Sequence, residues 1–272
     1  MNHPAHVLIT GAAGAIGAAV AREMRGVWPA ARLALLDRDA NTMTVLAASL
    51  GNASTHGVDL SNVEALPAAV AEISEHAPLD GLVNCAGIMR VRDVSTWEWE
   101  EASQLLAIDL LAPLRLQDLV VRGIAERVRA ETNGDRGRVT DAVRGVIINV
   151  ASMAGKVPLK GCAYYGASKA GLAMASEIAR ADLAPLGIRV VTVYPGPVRS
   201  ALEQSARDAY GGGGLFGRFA PTGDPAELAR RIMSAVDRDE ARVIYPRLYG
   251  VGWSAPNLSS WFALSYGPPP VS

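Results

Sequence analysis

The stretch YYGASK (164–169) sets two tyrosines and a lysine among small residues. Tyr165 and Lys169 are four apart, so on a helix their side chains share one face. Tyr164 has Ser168 at that offset and points about 100° away. An isolated phenol titrates near pH 10, far from neutrality (about 10). To exchange a proton at lower pH its phenolate needs a neighbouring cation, which Lys169 can supply. Thirteen residues before Tyr165 stands Ser152, in VASMAG (150–155), directly after the apolar run GVIIN. That position is the C-terminal end of a strand, the edge at which open α/β sheets bind ligands. A hydroxyl there can hold a substrate oxygen beside the phenol.

These residues need a scaffold, and the rest of the chain describes one. Short apolar runs, HVLIT (6–10), RLALLD (32–37), DGLVNCA (80–86), RGVIINV (144–150), IRVVTVY (188–194) and ARVIY (241–245), show little alternation. Strands buried on both faces read this way. Between them lie segments of helical period, roughly 15–26, 62–76, 97–130, 163–184 and 224–237. Alternating β and α units predict a parallel sheet with helices on both faces. ETNGDRGRVTDAV (131–143) is polar and reads as an exposed loop; GGGGLFG (211–217) reads as a lid or a connector.

TGAAGAIG (10–17) follows the first run and opens the first helix. Glycines permit a tight turn and let backbone N–H groups approach a pyrophosphate at the positive helix end. The glycines stand at 11, 14 and 17, a G-x-x-G-x-x-G spacing. Asp37 ends the second run, about twenty residues on, where a carboxylate accepts from adenosine ribose hydroxyls and repels a 2′-phosphate. NAD is therefore expected over NADP, although Arg38 next door can accommodate that phosphate. Capping of the next helix is the alternative role for Asp37.

Together these motifs resemble the short-chain dehydrogenases/reductases, in their shorter single-domain branch. The resemblance rests on TGAAGAIG, VDL (58–60), NCAG (84–87), Ser152, YGASK (165–169) and YPGPVRS (194–200), in order from residue 10 to 200. It implies a Rossmann-type, doubly wound, three-layer α/β/α domain over residues 1–247. It implies NAD(P)-dependent interconversion of a secondary alcohol and a ketone. Tyr165 would be the acid/base, Lys169 its pKa-lowering partner and ribose ligand, and Ser152 the substrate anchor. The cofactor would lie against Thr10, Gly11, Gly14, Ile16 and Gly17, with Asp37 and Arg38 at its ribose and Asp59 and Leu60 near its adenine. Asn84, Ala86 and Gly87 would line its path, and Pro195, Gly196, Val198 and Ser200 would border the nicotinamide.

The departures from the family pattern are specific. Cys85 replaces the second asparagine of NNAG and reads as a small packed thiol. Asp109, in LLAIDLLAP (105–113), replaces an asparagine that helps hold a water in the proton relay. A carboxylate accepts but cannot donate when ionised, disfavours tyrosinate and stabilises the lysine ammonium. A working relay with a shifted pH optimum is expected; the alternative is a weakened, dinucleotide-binding regulator. Pro113 predicts a kink in that helix.

Composition bounds the partners. Formal net charge is −1, with 26 basic and 27 acidic residues, which gives no reason for a nucleic-acid partner. Two cysteines and four histidines show no metal-ligand spacing, and no metal is expected. No signal peptide and no run long enough to span a membrane is apparent, which predicts a cytoplasmic protein. Met89, Met153, Val157, Leu159, Leu215 and Phe216 fall in the stretches expected to face substrate (Met89 to Val94, Met153 to Cys162, and 199–222), favouring an apolar small molecule. The resemblance implies a homodimer or homotetramer, for which the small-residue helix from Ala163 offers a packing face. Residues 248–272 carry no charged side chain but include Trp253, Trp261, Phe262 and Tyr266. A subunit interface, a flap over the pocket and a membrane-surface contact compete for this extension, in that order.

Overall fold

A computed structural model describes residues 3–131, 142–211 and 221–270. Seven strands, β1 (His6–Thr10), β2 (Arg32–Asp37), β3 (Ala53–Gly57), β4 (Gly81–Asn84), β5 (Gly145–Val150), β6 (Ile188–Pro195) and β7 (Arg242–Tyr245), form one parallel sheet. Its order is β3-β2-β1-β4-β5-β6-β7. The order reverses between β1 and β4, which opens a crevice beyond their C-terminal ends.

Side chains alternate between two cores because successive Cβ atoms of a strand point to opposite faces. Val7, Ile9, Leu33 and Leu35 meet Val20 and Met24 of α1 (Ala15–Val27), Met43 and Leu46 of α2 (Ala40–Leu50), and, further along, Leu228 and Ile232. Leu8, Ala34, Leu36 and Leu82 face the other way. They pack on Leu66, Val70 and Ile73 of α3 (Leu66–Ser74) and on Leu116, Val120 and Ile124. The runs lack alternation in sequence because both faces are dry.

The segment expected as one helix over 97–130 is α4 (Trp99–Leu106), a π-helical turn (Ala107–Leu111) and α5 (Ala112–Glu131). The π turn lies just upstream of Pro113 and carries Asp109. Next come α6 (Ala163–Leu183), α7 (Ala201–Ala209), α8 (Pro225–Asp237), α9 (Tyr249–Ser254) and α10 (Pro256–Tyr266). Neither α2 nor β3 is among the elements expected from the sequence. ANTMTVLAASL has a weak stripe, and β3 (ASTHG) is a half-exposed edge strand without an apolar run. Most of the 131–143 loop and nearly all of GGGGLFG, with Leu215 and Phe216, lie outside the described residues. No helix among the described residues is long and apolar enough to cross a membrane.

A buried polar network ties the sheet to α5 and α6. Asn149 of β5 donates to Gln117 Oε1 at 2.8 Å and to Ser176 Oγ at 3.0 Å, and its Oδ1 accepts from Asn84 Nδ2 at 2.8 Å. Thr192 Oγ1 donates to Ser176 at 2.7 Å, and Asn84 reaches Pro113 O at 3.1 Å. Removing one member orphans the others in a dry layer. Asn149→Ala is expected to cost roughly 2 kcal/mol, read as a lower urea midpoint at constant slope.

Candidate active site

The C-terminal ends of β1, β2, β4, β5 and β6 open on one cleft of about 1160 Å³. That exceeds the about 300–1,000 Å³ of a pocket for one drug-sized molecule and leaves room for two ligands side by side.

One half is shaped for a dinucleotide. Gly11 has φ +67°, and a methyl on it would come 2.7 Å from the backbone of Ala86; one on Gly17 would come 2.2 Å from Gly11 O. Only glycine allows turn, strand end and helix to meet this closely. Gly14 caps α1 with no side-chain bond, so the first N–H groups of the helix remain available to a phosphate. Asp37 Oδ2 accepts from Ala13 N at 3.0 Å and Oδ1 from Arg38 N at 2.7 Å, which braces the turn against β2. The helix after it is capped by Asp39, which accepts from Thr42 N at 3.1 Å, so capping is not the role of Asp37. Asp59 is held by Ser61, backbone N–H first and hydroxyl second, which keeps its carboxyl below the usual range.

Gly11, Gly14, Ile16, Gly17, Asp37, Arg38, Asp59, Leu60, Ala86, Gly87, Pro195, Gly196, Val198 and Ser200 all line the cleft. Thr10 and Asn84 do not. Thr10 Oγ1 accepts from Cys85 N (3.1 Å) and Ala86 N (3.2 Å), stitching β1 to the end of β4 from behind, and Asn84 belongs to the polar network. Ser200 Oγ accepts from Glu203 N at 3.1 Å and caps α7. Cys85 is half-buried on the wall, and burial pushes its thiol up to about 12.

The chemistry-bearing side chains meet at the middle of the cleft. Ser152 caps a short 3₁₀ turn, Met153–Gly155, with its Oγ accepting from Ala154 N at 3.0 Å. Tyr165 and Lys169 sit one turn apart on α6, with Lys169 Nζ 5.8 Å from the Tyr165 ring centre and 3.4 Å from Val150 O. The Ser152 hydroxyl is placed to favour the Tyr165 phenolate. Tyr164 turns aside, edge-on to Trp97 at 5.0 Å, as a packing residue.

Behind Lys169, out of the cleft, Asp109 is fully buried. One carboxylate oxygen accepts from Ile88 N at 2.7 Å and the other lies 3.2 Å from Lys169 Nζ. A methyl on Gly87 would come within 3.1 Å of both partners of the pair. Burial pushes the Asp109 carboxyl up, and Lys169 pulls it only part of the way back. For Lys169, burial works against the ammonium, but Asp109 and then Tyr165 outweigh it and hold the amine above its ordinary value. Burial also lifts the Tyr165 phenol; Lys169 opposes this and Asp109 adds to it. Lys169 therefore eases the ionisation of Tyr165 without overcoming burial, a weaker effect than the spacing predicts.

The family model described as short chain dehydrogenase matches residues 5–211. The chain belongs to that family. It is 32% identical over 232 residues to a D-threitol dehydrogenase of Mycolicibacterium smegmatis, covering 82% of each chain. It is 31% identical to a cyclopentanol dehydrogenase of Comamonas testosteroni, over 72% of this chain and 73% of the relative. The structure of a short-chain dehydrogenase from Sphingobium yanoikuyae in complex with NADPH superposes with TM-score 0.74 at 25% identity, covering 96% and 95% of the two chains. This short-chain dehydrogenase is thus an oxidoreductase with a Rossmann-type fold.

Met89, Met153, Val157 and Leu159 line the other half of the cleft, as expected. The rest of the 89–94 stretch does not, and Cys162 is buried against Tyr210, with Sγ 3.2 Å from its hydroxyl. Tyr210 and Tyr249 are lining residues that motif reading does not single out, and Phe262 lines the cleft with them. Tyr210 directly follows α7, and the other two lie in the uncharged extension.

Proposed function

We propose that this short-chain dehydrogenase interconverts an uncharged secondary alcohol and its ketone, with Tyr165 as the acid/base and NAD as the preferred cofactor. The observation that carries the reading is the convergence of Ser152, Tyr165 and Lys169 at the junction of the two halves of the cleft. Ser152 orients the substrate oxygen by a hydrogen bond. Tyr165 takes the hydroxyl proton during oxidation and returns it during reduction, while Lys169 keeps its ammonium beside the phenolate. A bound nicotinamide supplies the hydride acceptor or donor. The glycine cradle, the open first turn of α1 and Asp37 fit such a dinucleotide, and Lys169 can reach its ribose.

The choice of NAD rests on Asp37, with Arg38 exposed beside it. Asp37→Ser is expected to weaken NADH about tenfold and to tighten NADPH, as measured by fluorescence titration of each cofactor. Equal effects on both would remove the argument for NAD. The reaction itself is tested by following reduced nicotinamide with a panel of secondary alcohols and ketones under both cofactors. Tight cofactor binding without turnover across that panel would point instead to a regulatory dinucleotide-binding protein.

A further inference from the structure

The extension after β7 is built into the cleft. Trp253 of α9 is gripped from three sides: Tyr194 meets its ring edge-on at 4.5 Å, Lys156 Nζ lies 4.8 Å from the ring centre and the Arg242 guanidinium 5.6 Å. Arg242 is itself held by both carboxylate oxygens of Glu177, which also accepts from Tyr194 at 3.0 Å. At the near end Tyr249 lies so close over Gly196 that a methyl there would meet its ring at 2.8 Å. At the far end Lys160 Nζ donates to Gly267 O at 3.1 Å. Between these anchors Ser259, Phe262 and Ala263, spaced three and four apart, line the cleft. Phe262 is 46% exposed while lining it, so apolar surface is offered to whatever enters.

We propose that residues 249–268 form the wall that selects the substrate, with Phe262 and Tyr249 admitting uncharged secondary alcohols and ketones that carry a bulky apolar group. The proposal rests on the alcohol–ketone reading above. It gains from the state of the cations. Among the described residues on this side of the cleft, Lys160 is tied to Gly267, Arg207 is paired with Glu203, and Lys156, beside it, covers Trp253. A phosphorylated or carboxylated substrate would meet cations that are already engaged. An aryl group would instead bury its surface on Phe262 and Tyr249, the ordinary way such a pocket gains affinity.

The test is binding rather than turnover. With NADH bound no hydride can leave an alcohol, so 1-phenylethanol and 2-butanol can be titrated against the full chain by ligand-observed NMR. The wild type should prefer 1-phenylethanol. Phe262→Ala should cut that preference about tenfold, the loss of roughly one good apolar contact. Phe262→Trp should cut it too by crowding the aryl group, and an unchanged NADH affinity shows that both variants are folded. No preference in the wild type, or a preference untouched by both substitutions, overturns the wall. Preference without turnover supports the wall and counts against the reaction, so the two readings fail separately.

Discussion

Replacing Tyr165 by phenylalanine should lower kcat/KM for alcohol oxidation by about 10²–10⁴-fold, the usual contribution of a positioned general acid/base. The substitution removes a single oxygen. The ring stays packed with Leu105 and Cys162, so the fold and the cofactor half of the cleft should be unaffected. NADH titration should give nearly the wild-type dissociation constant. The pH dependence is the sharper readout. In the proposed reaction oxidation uses the phenolate, and burial raises the Tyr165 pKa against the pull of Lys169. The wild-type rate should therefore climb with pH into the alkaline range, and the variant should lose that limb. A variant that keeps both rate and limb would remove Tyr165 from the reaction.

How much of this site was legible beforehand depends on the range of each contact. Tyr165 and Lys169 are one helical turn apart, and Ser152 follows a buried strand, so local spacing brings out all three. The glycine turn and Asp37 are likewise punctuation at strand ends. What spacing could not show are contacts between distant segments. Asn84 and Thr10 carry motif positions, yet they brace the cleft from behind, because each finds its partners across the sheet. The extension has neither charge periodicity nor turn chemistry to reveal its direction. Its docking depends on Trp253 finding Lys156 and Arg242, which lie far apart in the chain. Edge strand β3 and helix α2 were missed for a simpler reason: neither has a pronounced apolar pattern to read.

Asp109 is where the family resemblance and the physics of this chain part, and its removal should be costly. In Asp109→Ala the Lys169 ammonium, only 4% exposed, keeps a single partner at 3.4 Å, and Ile88 N loses its acceptor. Breaking one side of a buried pair costs about 3–5 kcal/mol. At about 2–4 °C per kcal/mol for a chain of this size, Tm should fall by about 10 °C. The sign of the pH dependence follows from the shifts. Lys169 has its pKa raised by folding, so the pair stabilises fully below the ordinary lysine value and fades as pH rises through the folded one. The deficit of the alanine variant should thus be complete at neutral pH and shrink in strong alkali. Asparagine separates structure from chemistry. The carboxylate offers one oxygen to Ile88 N and another to Lys169, whereas an amide has one acceptor for two donors. Asp109→Asn should retain part of the stability while relieving the negative charge that holds both Tyr165 and Lys169 up. The rising limb of alcohol oxidation should then move to lower pH. A limb that stays in place while Tm falls would make Asp109 an anchor for the π turn and Lys169, with no influence on how the tyrosine gives up its proton.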